Sequence, residues 1–267
     1  MLLIKVGGGE KINWDYIALD LKEILKKEKV LILHGANAIR DKIAKKLGYP
    51  TKTIVSPSGI ESVFTDKKAI DIFLMTYAGL VNKRIVEKLQ SYGINALGLC
   101  GVDGRLFEGK RKKTILALVG KKIKVINNTY TGKIEKFNSQ LIKILIKNGY
   151  LPVIAPPGIS YDNKIINFDS DLVLSLIVKK LNIKKIVILL EEKGILTNFN
   201  DKNSLIKKID KNKLDEILKL VEGRMKKKIL GIKDIFQQTK IEKIFIGDGR
   251  IKNPLLKTLK GEGTVIC

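Results

Sequence analysis

The amino-terminal stretch of this chain reads Leu2-Leu3-Ile4-Lys5-Val6-Gly7-Gly8-Gly9. Residues 2–6 have the apolar character of a short buried strand, yet a lysine occupies the interior of that strand. A buried ammonium group costs free energy unless an anionic group meets it. The glycines that follow let backbone N–H groups approach phosphate oxygens closely, because no Cβ stands in the way. The stretch therefore predicts a strand that ends at a phosphate site.

A second strand, at residues 30–33, ends in the small-residue sequence His34-Gly35-Ala36-Asn37. Two strand ends of this kind are typical of a ligand site at the carboxyl edge of a parallel sheet. Two ordinary tight turns between strands and helices are the alternative, and neither loop excludes it alone.

Strands alternate with helical patterns along the whole chain, which predicts an α/β fold. We expect a three-layer αβα sandwich with a mostly parallel central sheet. Apolar residues at three- and four-residue steps predict one long helix over residues 66–92. A hairpin is predicted at residues 114–126, with its turn at Gly120-Lys121-Lys122. The chain is expected to be a single domain, residues 1–267, with a lobe boundary near residues 156–168, where Pro, Gly and Asn cluster.

The chain has 51 Lys and Arg against 27 Asp and Glu, a formal net charge of +24. Either an anionic partner or compositional drift explains this excess. Only six of the basic residues are Arg, aromatic residues make up 6% of the chain, and the lysines are scattered. This composition argues against nucleic-acid binding and leaves an acidic protein partner open.

The sequence contains no apolar run of membrane-spanning length and no signal peptide, so we expect a cytoplasmic protein without a membrane partner. Its cysteines, Cys100 and Cys267, are isolated, which predicts free thiols. His34 is the single histidine. Most histidine-based chemistry is therefore excluded, no metal site is expected, and a mechanism must use Lys, Asp, Glu and backbone amides.

Two further motifs lie at predicted helix starts. The first is Asn167-Phe168-Asp169-Ser170-Asp171, in which Asp169 or Ser170 is suited to cap the helix. Asp171 has a second interpretation, because a carboxylate beside two lysines would orient them and keep them charged. The second motif, Gly223-Arg224-Met225-Lys226-Lys227-Lys228, opposes the helix dipole. A solvated charged face explains it, or a lysine placed to meet a phosphoryl group.

Taken in order, these motifs resemble the amino acid kinase family over essentially the whole chain. The similarity is greatest to the acetylglutamate kinase branch and, within it, to archaeal kinases that act on aminoadipate or glutamate attached to the acidic carrier protein LysW. The supporting segments are Ser56-Pro57-Ser58-Gly59, Thr65-Asp66, Gly101-Val102-Asp103-Gly104, Tyr130-Thr131-Gly132-Lys133, Gly247-Asp248-Gly249 and Gly263-Thr264-Val265.

The resemblance implies that ATP, with Mg²⁺ carried on it, phosphorylates a side-chain carboxylate to give an acyl phosphate. Lys5 and Lys228 would flank the transferring group, and Asp171 would orient both lysines. The register of the second lysine leaves Lys227 as an alternative. This division of labour, mostly positioning and electrostatics, suits phosphoryl transfer in general.

The resemblance also assigns binding roles. An N-lobe of about residues 1–165 would bind the acyl acceptor, and a C-lobe of about residues 166–267 would bind ATP. Gly7, Gly8 and Gly35 would supply N–H donors, Asn167 would hold the backbone portion of the acceptor, and Glu191 stands where relatives often have Asp near the nucleotide.

Two positions in the implied acceptor site depart from the family pattern. Ala36 replaces a glycine, and Val63 stands where relatives generally carry an Arg for the α-carboxylate of the acceptor. Losing that charged hydrogen bond would cost about 1.5–3 kcal/mol. Lys67, Lys68 or Arg40 would have to replace it, or the acceptor differs.

The leading hypothesis is a kinase of lysine or arginine biosynthesis that acts on LysW-bound aminoadipate or glutamate, with the basic surface steering the acidic carrier. N-acetylglutamate kinase is the alternative, and a non-catalytic carrier-binding homologue is a third. Since strand one follows Met1 directly, without the extra helix of arginine-sensitive relatives, we expect a homodimer. The sequence does not separate glutamate from aminoadipate as acceptor.

Overall fold

The computed structural model describes residues 1–59, 61–120, 122–198, 201, 203–221 and 223–267. The strands are β1 Leu2–Val6, β2 Val30–His34, β3 Thr53–Val55, β4 Glu61–Val63, β5 Ala96–Gly101, β6 Phe107–Val119, β7 Lys122–Phe137, β8 Leu151–Ser160, β9 Ile165–Ile166, β10 Lys185–Leu190, β11 Lys208–Ile209, β12 Lys243–Asp248 and β13 Thr264–Ile266. The α-helices are α1 Trp14–Leu25, α2 Asn37–Lys46, α3 Lys67–Leu74, α4 Asn82–Ser91, α5 Ser139–Lys147, α6 Ser170–Leu181, α7 Leu214–Leu220, α8 Gly223–Gln238 and α9 Pro254–Leu259.

The described strands form one sheet, with β1 near its centre. Along the main path the order is β11-β13-β12-β10-β1-β2-β8-β6-β3-β4, and β5, β7 and β9 pair beside it. The contacts among β12, β10, β1, β2 and β8 are parallel, whereas β13, β7 and β3 add antiparallel contacts. The predicted α/β fold with a mostly parallel central sheet is confirmed; the division into two lobes stays a prediction.

Alternation along β1 decides which layer each of its side chains enters. Leu3 packs into the core with residues of α5, α6, α7 and α8, whereas Leu2, Ile4 and Val6 pack on the opposite face with residues of α1, α4 and α9. Because side chains two residues apart share a face of a strand, Lys5 lies on the same face as Leu3. The lysine is therefore directed into the layer that contains α6 and α8.

The long helix predicted over residues 66–92 is interrupted. Its middle, Met75–Val81, is π-helical, and α3 and α4 flank it. The Thr76 hydroxyl donates to the carbonyls of Ile72 and Phe73, 2.8 and 3.2 Å away. The buried Asn82 follows the buried Tyr77 at a step of five residues, which is the i→i+5 step of the wider π-type turn. The apolar spacing did not reveal this segment, because the residue that it turns inward is polar.

The predicted hairpin is longer than the sequence indicated. Strands β6 and β7 pair from Phe107 with Phe137 to Val119 with Lys122, and the register shifts twice between these ends. These shifts and the frequent lysines obscure the alternation that marks a strand. Of the predicted turn, Lys121 lies outside the described residues. The short strands β3 and β4, which the sequence did not reveal, extend the sheet beyond the hairpin.

No helix of the described ranges is both long enough and apolar enough to cross a membrane.

Candidate active site

Lys5 and Asp171 form a partly buried ion pair at the carboxyl edge of the sheet. Lys5 is 6% exposed, and its Nζ donates to Asp171 Oδ1. Asp171 lies in the first turn of α6, where its own N–H is 2.8 Å from Asp169 Oδ1. The two acidic residues of the motif therefore divide the predicted tasks, since Asp169 caps the helix and Asp171 meets the lysine.

Lys228, in the early part of α8, completes a cluster of three charges. Burial and the neighbouring ammonium of Lys5 lower the pKa of Lys228, and the carboxylate of Asp171 opposes them. Lys227, the alternative in the sequence, instead lies 2.5 Å from Asp169 Oδ2. The side chain of Arg224, in the same motif, lies outside the described part of the structure.

The electrostatics of the cluster favour an anion. Burial alone would raise the pKa of Asp171, but the nearby Lys5 and Lys228 outweigh it, so the pKa lies below its ordinary value. Two ammonium groups and one carboxylate leave an excess of one positive charge inside the fold. Such a charge is costly to bury without a counter-ion, and a phosphoryl group would supply one.

Gly231 sets the distance between α8 and α6, which sequence reasoning missed. A Cβ added at Gly231 would lie 3.0 Å from Asp171 Cβ. A glycine one turn after Lys228 therefore lets the two helices approach closely beside the charged cluster. A lone glycine inside an otherwise regular helical pattern was the signal available in the sequence.

The glycine loop after β1 faces the loop after β2. A Cβ on Gly8 would lie 2.5 Å from both Ala36 N and Asn37 N, and one on Gly35 would lie 2.8 Å from Gly8 N. The two loops are joined by the Ala38 N–H, which is 3.0 Å from Gly8 O. Gly7 donates to Leu189 O and Gly35 donates to Val6 O, each at 2.9 Å inside the sheet. The prediction that these two N–H groups bind phosphate is therefore wrong, because both are already engaged between strands. Only residues without side chains fit this approach, and it gathers backbone amides of both loops, the arrangement that holds phosphate groups.

Glu191 follows β10 and folds back onto the glycine loop. A Cβ on Gly9 would lie 2.1 Å from Glu191 Cδ, and Lys11 N donates to Glu191 Oε1 at 2.5 Å. The structure therefore places this carboxylate at the loop; its contact with a nucleotide stays a prediction.

Asn167 lies among the segments that carry Val63. Its backbone N–H donates to Tyr130 O at 2.7 Å, and its side-chain Nδ2 lies 3.4 Å from Thr65 Oγ1. Tyr130 N in turn donates to Thr65 O at 2.6 Å. These contacts bring Asn167 together with Tyr130 in the middle of β7 and with Thr65, which follows β4.

Each of the three residues considered as a replacement for the absent Arg has a contact of its own. Arg40 is 6% exposed, donates to Asp41 Oδ1 at 2.7 and 2.9 Å and lies 5.1 Å from the Phe73 ring centroid. Lys67 pairs with Asp71 at 2.6 Å, and Lys68 Nζ lies 4.7 Å from the Tyr49 ring centroid. Of these three residues, only Arg40 lines the cavity that Val63 also lines.

Across the described part of the chain, no group of three or more His, Cys, Asp or Glu is arranged to hold a metal ion.

A buried lysine on the central strand, paired with a carboxylate beside a cradle of backbone amides, has the positive charge and the donors that phosphoryl transfer needs. The sequence profile described as "Amino acid kinase family" matches residues 1–248. The chain belongs to the amino acid kinase family, and it is a kinase.

Curated relatives match this chain over its full length. It is 40% identical to the [LysW]-aminoadipate kinase of Thermus thermophilus, with 100% of both chains covered. It is 39% identical to the [LysW]-aminoadipate kinase of Deinococcus radiodurans, covering 100% of this chain and 91% of the relative. The [LysW]-aminoadipate/[LysW]-glutamate kinase of Saccharolobus solfataricus is 32% identical, covering 100% and 99%.

Solved structures share the fold. N-acetylglutamate synthase from Neisseria gonorrhoeae superposes with a TM-score of 0.79 at 18% identity; the match covers all of this chain but only 59% of the synthase. Carbamate kinase from Giardia lamblia, bound to AMP-PNP, gives a TM-score of 0.63 at 16% identity and coverage of 99% and 97%.

Proposed function

We propose that this protein transfers the γ-phosphoryl group of ATP to the side-chain carboxylate of aminoadipate or glutamate carried by LysW, giving an acyl phosphate for lysine or arginine biosynthesis. The observation that carries the proposal is the partly buried cluster of Lys5, Asp171 and Lys228 in a chain that aligns end to end with [LysW]-aminoadipate kinases.

The cluster suits phosphoryl transfer because the reaction needs positioning and charge neutralisation more than covalent chemistry. Lys5 and Lys228 would flank the transferring group and neutralise the charge that it develops. Asp171 would hold both ammonium groups in place, and the N–H groups around Gly8 and Ala36 would bind the same oxygens. Mg²⁺ would arrive with ATP and supply further charge neutralisation on the phosphates. We call the region of Lys5, Gly8, Asp171 and Lys228 the phosphoryl end.

The opposite part of the proposed site, defined by Arg40, Val63 and Asn167, is the acceptor end. The β6–β7 hairpin contacts the acceptor end, because β6 pairs with β3 and β7 forms a bridge to Asn167. The lysines exposed along the hairpin are Lys110, Lys112, Lys113, Lys122, Lys124, Lys133 and Lys136. The described residues of these two strands include only two carboxylates, Glu108 and Glu135. This charge supports an acidic carrier as the source of the acceptor.

The direct test is a hydroxamate assay with ATP and three acceptors: LysW-aminoadipate, LysW-glutamate and free N-acetylglutamate. Hydroxylamine traps an acyl phosphate whichever acceptor forms it. We expect turnover with a LysW-bound acceptor, and kcat/KM should fall steeply as salt rises because the encounter is charge-steered. Equal activity on free N-acetylglutamate at every salt concentration would contradict the proposal and favour an N-acetylglutamate kinase.

Charge reversal locates the carrier-binding surface. The double variant Lys112→Glu with Lys113→Glu should raise KM for a LysW-bound acceptor, mainly at low salt, and leave KM for ATP unchanged. The matched control is Lys179→Glu with Lys180→Glu, a pair of exposed neighbours in the last turn of α6. If the control raises KM equally, net charge and not the hairpin is responsible.

The proposal includes a homodimer in the cytoplasm, without nucleic-acid or membrane partners. Sedimentation equilibrium with and without ATP measures the oligomeric state, and a monomer that keeps full activity would remove the dimer from the proposal.

A further inference from the structure

We propose that His34 and Asn82 are positioning residues that fix the plane of the Gly35–Ala36 peptide, and so aim the Ala36 N–H at the cradle beside Gly8. The inference rests on the proposed function only in taking that cradle as the place where the phosphoryl group is received. His34 and Asn82 themselves lie behind the cradle, and both are at most 1% exposed.

The orientation of the Asn82 amide follows from its surroundings. Asn82 Nδ2 lies 2.9 Å from Val153 O, a backbone carbonyl that can only accept a hydrogen bond. The amide nitrogen is therefore the group on that side, and it also lies 3.0 Å from His34 Nε2. The amide oxygen lies on the other side, where a Cβ at Gly98 would be 2.0 Å from it. The absence of a side chain at Gly98 gives that oxygen its space.

The Asn82 amide determines the tautomer of His34. Because Asn82 Nδ2 donates, His34 Nε2 must carry the lone pair, and the single ring proton sits on Nδ1. Nδ1 lies 3.2 Å from Gly35 O, to which it donates. Burial lowers the pKa of His34 to about 4, so the ring is uncharged near neutral pH. The single ring proton can then be on either nitrogen, and the two hydrogen bonds place it on Nδ1.

The carbonyl of Gly35 and the N–H of Ala36 belong to one planar peptide and point in opposite directions. Drawing the carbonyl toward the His34 ring therefore turns the N–H away from the ring. Ala36 N is one of the atoms that a Cβ on Gly8 would approach to 2.5 Å, so this nitrogen lies at the cradle beside Gly8.

Asn82 begins α4, directly after the π-helical segment, which turns this residue inward. The wider turn and the hydrogen bond to His34 thus belong to one arrangement, which links the helical layer to the loop after β2.

The wild-type protein allows a direct test, because His34 is its only histidine. Labelling histidine with ¹⁵N gives one pair of ring signals, and we expect the proton on Nδ1 at neutral pH. A proton on Nε2 would overturn the proposal. In Asn82→Leu, which lacks the amide donor, both tautomers should become populated.

Two variants of His34 separate positioning from packing. Asn places its amide nitrogen two bonds beyond Cβ, where the donating Nδ1 was, and Gln places its amide oxygen three bonds beyond Cβ, where the accepting Nε2 was. His34→Asn keeps the donor to Gly35 O, whereas His34→Gln keeps a partner for Asn82 and loses that donor. Both variants are neutral and leave a buried gap, so their thermal stabilities serve as matched controls.

We expect His34→Gln to weaken AMP-PNP binding about tenfold and to lower kcat about tenfold or more, with His34→Asn within about threefold of wild type. Equal losses in both variants, or none in either, would overturn the proposal. Neither ring NMR nor AMP-PNP binding depends on the acceptor, so failure of LysW-bound substrates would count against the proposed function alone.

Discussion

At the phosphoryl end, Lys5, Asp171 and Lys228 come from three elements far apart in sequence and meet inside the fold, whereas at the acceptor end Arg40 and Val63 line a cavity at short peripheral strands. Strand and helix ends fix the first group, because β1, α6 and α8 pack in one core. In the second group, Arg40 lies in α2, Val63 ends the short strand β4, and Asn167 lies in the loop between β9 and α6. The comparison predicts that substitutions at the phosphoryl end lower turnover more than substitutions at the acceptor end.

The largest effect should come from Lys5→Met, which removes a buried charge of the phosphoryl end. We expect kcat to fall about 10³-fold or more, since loss of one transition-state donor costs about 10²–10³-fold and Asp171 also loses its hydrogen bond from Lys5. The hydroxamate assay measures this loss. The control is Lys185→Met, the same change on the neighbouring strand β10 at the opposite edge of the sheet. Wild-type turnover in Lys5→Met would show that the assigned mechanism is wrong.

A comparison of Lys228→Met with Lys227→Met sharpens the assignment of the second lysine. The Lys228 variant should lose about 10²-fold or more in kcat, because its ammonium shares the cluster with Lys5 and Asp171. The Lys227 variant loses only its pair with Asp169 and should stay within about tenfold of wild type. The reverse ranking would move the catalytic role to Lys227.

The pH dependence of the free energy of unfolding tests the burial of His34, the last residue of β2. The pKa of His34 is lowered from 6.5 to about 4 by burial. Between these values the unfolded chain binds more protons than the folded one, so stability falls as pH drops. From pH 7 to pH 5 this residue should cost about 2 kcal/mol. Urea unfolding at both pH values measures the loss, and His34→Asn should lack that share of it.

The smallest effect is expected at the acceptor end. Arg40→Met removes the bonds to Asp41 and the contact with Phe73. If Arg40 also holds the acceptor, KM for the LysW-bound substrate should rise about threefold to tenfold with kcat nearly unchanged. Arg84→Met, at an exposed arginine paired with Glu87, is the control. An unchanged KM in Arg40→Met would place acceptor recognition on other groups, such as Lys68 or Asn167.

Much of the fold was predictable because its central strands are short apolar runs that end in glycine. The same glycines pointed to the phosphate cradle. Sequence alone left two choices open, Asp169 or Ser170 as the helix cap and Lys227 or Lys228 as the second lysine. Neighbouring residues of similar polarity differ mainly in where the helix rotation directs them. The π-helical segment was missed for a related reason, since Asn82 is buried through hydrogen bonds that no hydrophobic pattern records.

The central place of β1 has a consequence for how the chain folds. Its partner on one side, β2, follows within thirty-odd residues, but its partner on the other, β10, spans residues 185–190. During synthesis Lys5 therefore leaves the ribosome well before Asp171, which is 166 residues further along the chain. The charge of Lys5 is not compensated by this carboxylate until the later segment has been made. Closing so long a loop is slow. Pulse-labelled hydrogen exchange should find the amides that join β1 to β10 protected late, and early protection would contradict this order of assembly.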